Sequence, residues 1–260
     1  MSRLAETGMC LSGAWAIWMR NATVWRKSWK TSLVGSIGEP LFYVLGLGYG
    51  LGTIVPDIGG TPYLRFVAPG LMISSVMQSV TIESTYMIFT KMEHQRVHAS
   101  MILAPLTFGD ILLGEILWIM TKGLICGGTV LALLLAFGVV PAWPGILGVA
   151  LILLAGFLFA SLGLIVTAVA RGYDSFNYYF TLFLAPMFFF SGIFFPLRKL
   201  GPVVEGIGQA FPLTHLVRIA RSLLTSPGAA VPLLPLCGLA LAAGAAFLLG
   251  STLMRRRYLP

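Results

Sequence analysis

The chain has 260 residues, of which 57% are hydrophobic and 10% are charged, and its mean hydropathy is +0.90. A soluble domain of this length does not bury so large an apolar fraction, so the composition excludes a soluble protein and indicates membrane helices. The net charge is +8. Basic residues flank membrane spans and set their orientation, so this charge does not indicate a nucleic-acid partner.

The first predicted element is an amphipathic helix over residues 11–30. At about 100° per residue, one face carries four tryptophans and the opposite side carries the basic residues. The tryptophans are Trp15, Trp18, Trp25 and Trp29. Tryptophan beside a basic face is typical of a helix that lies in the lipid headgroup region. We therefore expect an interfacial anchor, and a contact of its polar face with a cytoplasmic partner is the alternative.

Six stretches are long and apolar enough to cross a hydrocarbon core about 30 Å thick, which takes about 20 helical residues. The predicted spans are residues 33–55, 66–89, 111–137, 146–170, 176–196 and 229–254. They make residues 1–260 a single transmembrane domain of an all-α membrane protein. With six spans, 11 of the 17 Lys and Arg residues fall on one side, so both termini are predicted to be cytoplasmic.

The first span contains a run of alternating glycines: Gly46, Gly48, Gly50 and Gly52. They form two overlapping spacings of four residues, which allow two membrane helices to approach closely. We expect this face of the first span to pack against another helix.

The loop after the second span is the longest predicted cytoplasmic connection. Residues 93–103 are predicted to form a short helix that Pro105 ends. A short charged helix between two spans suits docking of a soluble partner, with Glu93, His94, Arg96 and His98 as its polar residues. The two histidines have metal-ligand spacing, but no third ligand is near in sequence, so we do not expect zinc.

Residues 197–227 are too polar to span and too apolar for a solvated loop. Prolines and glycines divide the segment into two short amphipathic helices, over residues 203–211 and 213–224. We expect an external, partly re-entrant helical hairpin. Such a hairpin would account for the basic residues on the external side, which are Arg198, Lys199, Arg218 and Arg221.

Four charged residues lie within predicted spans: Glu39, Glu83, Glu115 and Lys122. A charge in hydrocarbon is expensive and is therefore a candidate functional residue. The second and third spans are expected to be antiparallel, which brings Glu83 and Lys122 together as an ion pair. A structural pair is favoured, and a proton relay is the alternative.

The fifth span is crowded with aromatic residues. Five of them form a candidate wall of a translocation path: Phe183, Phe188, Phe189, Phe190 and Phe194. Aromatic rings pack well against acyl chains and sugar faces. The alternative is that these rings simply face lipid.

No motif for nucleotide or covalent chemistry is found in the sequence. It lacks GxxxxGK[ST], HExxH and GxSxG. We therefore expect no enzyme activity and no cofactor bound by this chain. ATP-driven transport would need ATP and Mg²⁺ on a partner subunit.

Several segments together resemble the membrane subunit of a type-2 ABC exporter. They are residues 66–71 (FVAPGL), 104–106 (APL), 190–196 (FSGIFFP) and 212–215 (PLTH). Residues 109–115 (GDILLGE), with Trp118, Lys122 and Glu83–Tyr86, resemble the nodulation branch of that family, whose members are permeases of lipo-chitooligosaccharide exporters.

The resemblance implies a homodimer in the bacterial inner membrane with two ABC ATPase subunits below it. Residues 93–105 would then be the coupling helix, and the first, second and fifth spans would line a path between the protomers. The implied cargo is an amphipathic glycolipid or lipo-oligosaccharide. The alternatives are efflux of a hydrophobic drug, a proton-coupled secondary transporter with Glu83 as carrier, and a membrane enzyme, which the missing motifs disfavour.

Overall fold

The computed structural model describes residues 11–43, 45–46, 50, 52–55, 57–95, 106–225 and 232–258. Four helices in these ranges are long and apolar enough to cross a membrane: Tyr63–His94, Phe108–Ala136, Gly145–Val169 and Leu233–Arg257. They correspond to the second, third, fourth and sixth predicted spans and confirm an all-α membrane protein. The full count of six spans stays a prediction.

The elements follow in chain order. Before the first long helix come α1 (Leu11–Lys27), α2 (Trp29–Tyr43), α3 (Gly52–Ile54), β1 (Asp57–Ile58) and β2 (Thr61–Pro62). The two strands pair antiparallel, with Asp57 opposite Pro62. Next come α4 (Tyr63–Ile82), α5 (Phe108–Ala136), α6 (Ala142–Val169), α7 (Tyr173–Tyr179) and α8 (Ala185–Phe189). A 3₁₀ turn (Leu197–Leu200), α9 (Pro202–Gln209), α10 (Pro212–Thr225) and α11 (Leu233–Tyr258) complete the described chain.

The helix of the second span extends beyond its predicted end at residue 89. Two π-helical turns, Glu83–Met87 and Thr90–His94, continue α4 to His94. Glu93 and His94 therefore close the second span and do not begin a separate helix. Similarly, a π-helical turn at Phe180–Leu184 joins α7 to α8, which gives continuous helix from residue 173 to 189 in the region of the fifth predicted span.

The N-terminal helix α1 packs along the first half of α5. Its buried residues are Gly13, Ala14, Ile17 and Asn21, a narrow stripe beside the tryptophan face. A Cβ at Gly114 of α5 would lie 2.7 Å from the carbonyl oxygen of Ala14, so the two backbones are in close contact. The tryptophan face is partly exposed, with Trp15 at 55%. The helix therefore has a face for the bundle as well as the predicted apolar face.

The centre of the bundle is α4, whose side chains from Phe66 to Ile73 are buried. Glycines let its neighbours approach it. A Cβ at Gly123 of α5 would lie 2.6 Å from Val80 of α4, and one at Gly127 would overlap Val76. These two glycines thus serve packing within the chain.

The glycines predicted to pack in the first span behave differently. Gly46, Gly50 and Gly52 have open space where a Cβ would stand, so they do not join helices among the described residues. Gly48 lies outside the described residues. Contact of this face with a second copy of the chain stays a prediction.

Candidate functional site

Four charged side chains meet where the second half of the α4 helix crosses α5. Lys122 Nζ lies 3.5 Å from Glu83 Oε1, which confirms the predicted ion pair. Lys91 Nζ lies 2.7 Å from Glu115 Oε2 in a second ion pair. The side chains of this cluster are 2–16% exposed. Because two ammonium groups face two carboxylates, the cluster is electrically neutral, which limits the energetic penalty of burial.

The helix α1 contributes to the same cluster. The Oδ1 of the buried Asn21 accepts a hydrogen bond from Lys91 Nζ at 3.2 Å. Lys122 Nζ lies 5.7 Å from the centre of the Trp25 ring, a cation–π contact. Trp18 Nε1 donates to Thr121 Oγ1 at 3.0 Å. The N-terminal helix is thereby connected to both charged helices.

Sequence reasoning missed Lys91 and Asn21 because it ended the second span at residue 89 and treated α1 as a lipid anchor. A signal for Lys91 was present in the spacing. Lys91 follows Glu83 by eight residues, and Lys122 follows Glu115 by seven. When the two helices are antiparallel and Glu83 is opposite Lys122, this spacing places Lys91 opposite Glu115. Glu39 lies in α2, but its side chain is outside the described part of the structure.

The π-helical turn that carries Glu83 is held against α6. Thr167 Oγ1 donates to the carbonyl oxygen of Ser84 at 2.7 Å. A Cβ at Gly163 would overlap the side chain of Ser84, so only a glycine allows this approach. π-Helical turns inside long helices are frequent at functional sites.

A second group of contacts surrounds the last turn of the α4 helix; we call this region the Arg257 end of the bundle. It comprises Thr90–His94, the end of α6, the start of α7 and the last turn of α11. The hydroxyl of Tyr173 lies 2.8 Å from Thr90 Oγ1 and 3.4 Å from His94 Nδ1. Arg257 Nη2 donates to Glu93 Oε1 at 2.9 Å. A shallow cavity of about 600 Å³ opens here.

Of the predicted ATPase-coupling residues, Glu93 and His94 lie at the Arg257 end. Arg96, His98 and Pro105 lie outside the described residues. The structure describes the chain again from residue 106. The side chain and backbone of Thr107 form a capping box with Asp110 at the start of α5.

The predicted aromatic wall divides into buried and exposed rings. Phe188 is 9% exposed, and its ring centre lies 6.2 Å from that of Tyr43 in α2 and 5.2 Å from that of Phe194. Phe183 stacks on Tyr179 at 5.5 Å. By contrast, Phe189 is 54% exposed and Phe190 is 38% exposed. The exposed rings are the ones available to a ligand, a second protomer or lipid.

The opposite end of the bundle holds a cation that sequence reasoning treated only as a basic loop residue; we call this region the Arg221 end. It comprises the start of α4, the turn after α8, and α10. Arg221 Nε donates to the carbonyl oxygen of Phe66 at 2.9 Å, and Nη2 donates to that of Gly192 at 2.8 Å. The guanidinium carbon lies 3.6 Å from the centre of the Phe66 ring. Among the described residues, no carboxylate forms an ion pair with Arg221.

The turn at Gly192 explains how its carbonyl reaches Arg221. Gly192 has φ of +75°, a left-handed conformation that favours glycine. Burial lowers the pKa of Arg221 to about 10, so the guanidinium remains charged at neutral pH. The charge is therefore stabilised by carbonyl dipoles and an aromatic face.

The comparisons with known proteins define the class. The family model for the ABC-2 type transporter matches residues 13–225, so the chain belongs to that family of membrane permeases. Nodulation protein J of Sinorhizobium fredii is 39% identical over 246 residues, covering 94% of this chain and 93% of that protein. Nodulation protein J of Rhizobium leguminosarum bv. trifolii is 36% identical over 248 residues, with 94% and 93% covered. The inner membrane transport permease YadH of Escherichia coli is 24% identical over 202 residues, with 78% of each chain covered.

Proposed function

We propose that this chain is the membrane subunit of an ATP-driven exporter that moves an amphipathic glycolipid or lipo-oligosaccharide across the inner membrane. The active assembly is a homodimer of this chain with two ABC ATPase subunits. The chain crosses the membrane six times, both termini are cytoplasmic, and the hairpin of α9 and α10 is external and partly re-entrant.

The carrying observation is the similarity to nodulation protein J, at 39% identity over 94% of this chain. The match covers 93% of that protein as well, so it concerns nearly the whole of both chains and not a single segment. The lipo-oligosaccharide cargo follows from the resemblance of residues 109–115 and their neighbours to the nodulation branch. ATP is assigned to a partner because the sequence has no P-loop motif.

The geometry supports this function over proton-coupled transport. Glu83 faces Lys122, and Glu115 faces Lys91, so each acid has an opposite charge as neighbour. A carrier carboxylate must release and take up protons during the cycle, which a close ammonium group opposes. The cluster therefore fits a structural role that holds α1, α4 and α5 together.

The proposed path lies between the two protomers. The first span has glycines with open space around them, and the fifth has exposed rings at Phe189 and Phe190. Close helix contacts suit the glycines, and amphipathic cargo suits the rings. These exposed features lie on predicted spans of one protomer, as expected for surfaces that a second protomer completes.

The test is reconstitution. The tagged chain is purified with the ATPase that copurifies with it and placed in liposomes. We expect a lipo-chitooligosaccharide to stimulate ATP hydrolysis and to move across the bilayer only when ATP is present. A partner ATPase with its P-loop lysine replaced is the control and is expected to abolish both.

Two results would contradict this proposal in different ways. Stimulation by hydrophobic drug cations, with none by the lipo-chitooligosaccharide, would replace the cargo and keep the ATP-driven mechanism. Transport that needs a proton gradient and ignores ATP would overturn the mechanism itself.

A further inference from the structure

Three arginines, Arg255, Arg256 and Arg257, lie in the last turn of α11. The positive-inside rule accounts for all three in the same way, as a signal for orientation. The structure separates them. Arg255 and Arg256 are exposed, whereas the Arg257 side chain is 22% exposed and turns into the Arg257 end of the bundle. An orientation signal does not require one member of the set to be placed in this way, so Arg257 needs its own explanation.

The guanidinium of Arg257 donates hydrogen bonds to the carbonyl groups at the end of α6. Its Nη1 donates to the carbonyl oxygens of Ala170 at 2.6 Å, Thr167 at 2.7 Å and Ala168 at 3.3 Å. The last carbonyl groups of a helix have no partner within the helix, and they carry partial negative charge. A cation at this position supplies hydrogen bonds and favourable electrostatics together.

The same guanidinium also reaches the second span. Nη2 donates to Glu93 Oε1 at 2.9 Å, and the guanidinium carbon lies 5.4 Å from the centre of the buried Phe89 ring. Arg257 therefore joins three helices: its own α11, the end of α6, and the last turn of the α4 helix. The ion pair of Arg257 with Glu93 is partly exposed, and such a pair contributes little to stability alone. The hydrogen bonds to the α6 carbonyl groups hold the guanidinium in place and thereby give the pair a fixed geometry.

The turn that Arg257 holds is a junction. Within Thr90–His94, Lys91 is paired with Glu115 of α5, Thr90 and His94 contact Tyr173 of α7, and Glu93 contacts Arg257. The predicted coupling segment is residues 93–105, and its first two residues, Glu93 and His94, lie in this turn. A force applied to that segment by an ATPase would therefore reach α5, α7 and α11 through one helical turn.

We propose that Arg257 is a positioning residue for energy coupling: it fixes the last turn of the second span, and hence the start of the coupling segment, against the end of α6. This inference rests on the proposed function, since it requires an ATPase partner. It assigns to the C-terminal helix a part in transmission that the coupling segment alone does not supply.

The experiment compares four variants in the reconstituted complex. Arg257→Gln removes the charge and most of the donors, Arg257→Lys keeps the charge without the fork, Glu93→Ala removes one acceptor, and Arg256→Gln is the matched control on the same helix. The readouts are recovery of the ATPase complex, basal hydrolysis, hydrolysis stimulated by a lipo-chitooligosaccharide, and cargo moved per ATP.

We expect Arg257→Gln to keep complex recovery and lower cargo-stimulated hydrolysis and cargo moved per ATP by about fivefold or more, the usual scale of coupling between sites. Arg257→Lys is expected to be intermediate, because an ammonium group cannot reproduce the planar fork of donors. Glu93→Ala is expected to give a smaller loss that is not additive with Arg257→Gln, because both act through one contact. Arg256→Gln is expected to match the unmodified chain.

Equal stimulation and equal cargo per ATP in Arg257→Gln and Arg256→Gln would overturn the inference while leaving the proposed function intact. If Arg257→Gln fails to assemble, Arg257→Lys and Glu93→Ala decide: unchanged coupling in both would overturn the inference, and reduced coupling with normal recovery would support it. If no ATPase copurifies with the unmodified chain, the proposed function falls, and this inference falls with it.

Discussion

Near the Arg257 end of the bundle, Lys91 and Lys122 are each paired with a carboxylate, whereas at the Arg221 end one guanidinium lies against carbonyl oxygens and the Phe66 ring. Both arrangements keep a cation among apolar neighbours. In the first, each charge depends on another charge, so losing one strands the other. In the second, the partners are neutral, and losing the cation leaves only unfilled hydrogen-bond acceptors. The two regions are therefore expected to respond differently to mutation.

The largest expected effect is in the charged cluster. Glu115→Leu removes a carboxylate that is 2% exposed and strands Lys91. We expect a loss of about 3–5 kcal/mol in stability, because an uncompensated buried charge remains. Adding Lys91→Leu is expected to recover most of the loss, since no charge is then stranded. Thermal unfolding in detergent of both single variants and the double variant measures this, and additive losses would contradict it.

The next largest effect is expected at the Arg221 end, where the partners of the cation are neutral. Arg221→Met removes the donors to Phe66 and Gly192. Hydrogen bonds to charged groups contribute about 1.5–3 kcal/mol, so we expect a loss in this range. Arg218 is exposed on the same helix, and Arg218→Met is the control, expected to change stability by less than about 0.5 kcal/mol. The melting temperature in detergent is the readout.

A loss in Arg221→Met as large as that in Glu115→Leu would remove the contrast, because it would mean that Arg221 also has a charged partner. Phe66→Leu provides a second measure. It removes the ring face under the guanidinium and is expected to cost about 0.5–2 kcal/mol with Arg221 present. In the Arg221→Met background this cation–π part of the loss is expected to disappear.

How far the sequence predicts these two regions depends on the kind of partner. The ion pair of Glu83 and Lys122 was predicted because charges in apolar spans are rare and antiparallel neighbours bring them together. The contacts of Arg221 were not predicted, because its partners are main-chain carbonyl groups. Every residue carries such a group, so these partners leave no signal in a sequence. Lys91 and Arg257 were missed for a related reason: near a span end, a basic residue is explained by orientation alone.

The fold likewise has features that the sequence predicts and features that it does not. Four of the predicted spans correspond to long apolar helices because hydrophobic length is a strong local signal. The inner face of α1 was not predicted, since Gly13, Ala14, Ile17 and Asn21 form no conspicuous apolar stripe. Small residues acquire meaning only beside the neighbour that approaches them, here Gly114 and Asp110 of α5.

Glycine substitutions extend the comparison from charges to helix contacts. Gly114→Val would push into Ala14 and Ile17 of α1, so we expect a loss of about 1–3 kcal/mol in protomer stability. Gly46→Val meets open space within the chain, so it is expected to spare the protomer and to lower the dimer fraction if the first span lies at the seam. Thermal unfolding and the dimer fraction by size-exclusion chromatography separate the two. A stable Gly114→Val protomer would contradict the close contact of α1 with α5.

The smallest expected effect on stability, and the most informative for transport, is at Phe189. This ring is 54% exposed, so Phe189→Ala is expected to change protomer stability by less than about 0.5 kcal/mol. Phe188→Ala is the matched contrast, because that ring is 9% exposed and packs on Tyr43, and it is expected to lower the melting temperature. If Phe189 lines the cargo path, its loss removes ring surface from the ligand and is expected to change cargo-stimulated hydrolysis while assembly stays normal. Photo-cross-linking of a lipid-linked sugar probe to single cysteines placed along residues 180–190, with and without ATP, locates the contact. Labelling that is equal on all faces and independent of ATP would mean that these rings face lipid, and the path would then have to be sought on another helix.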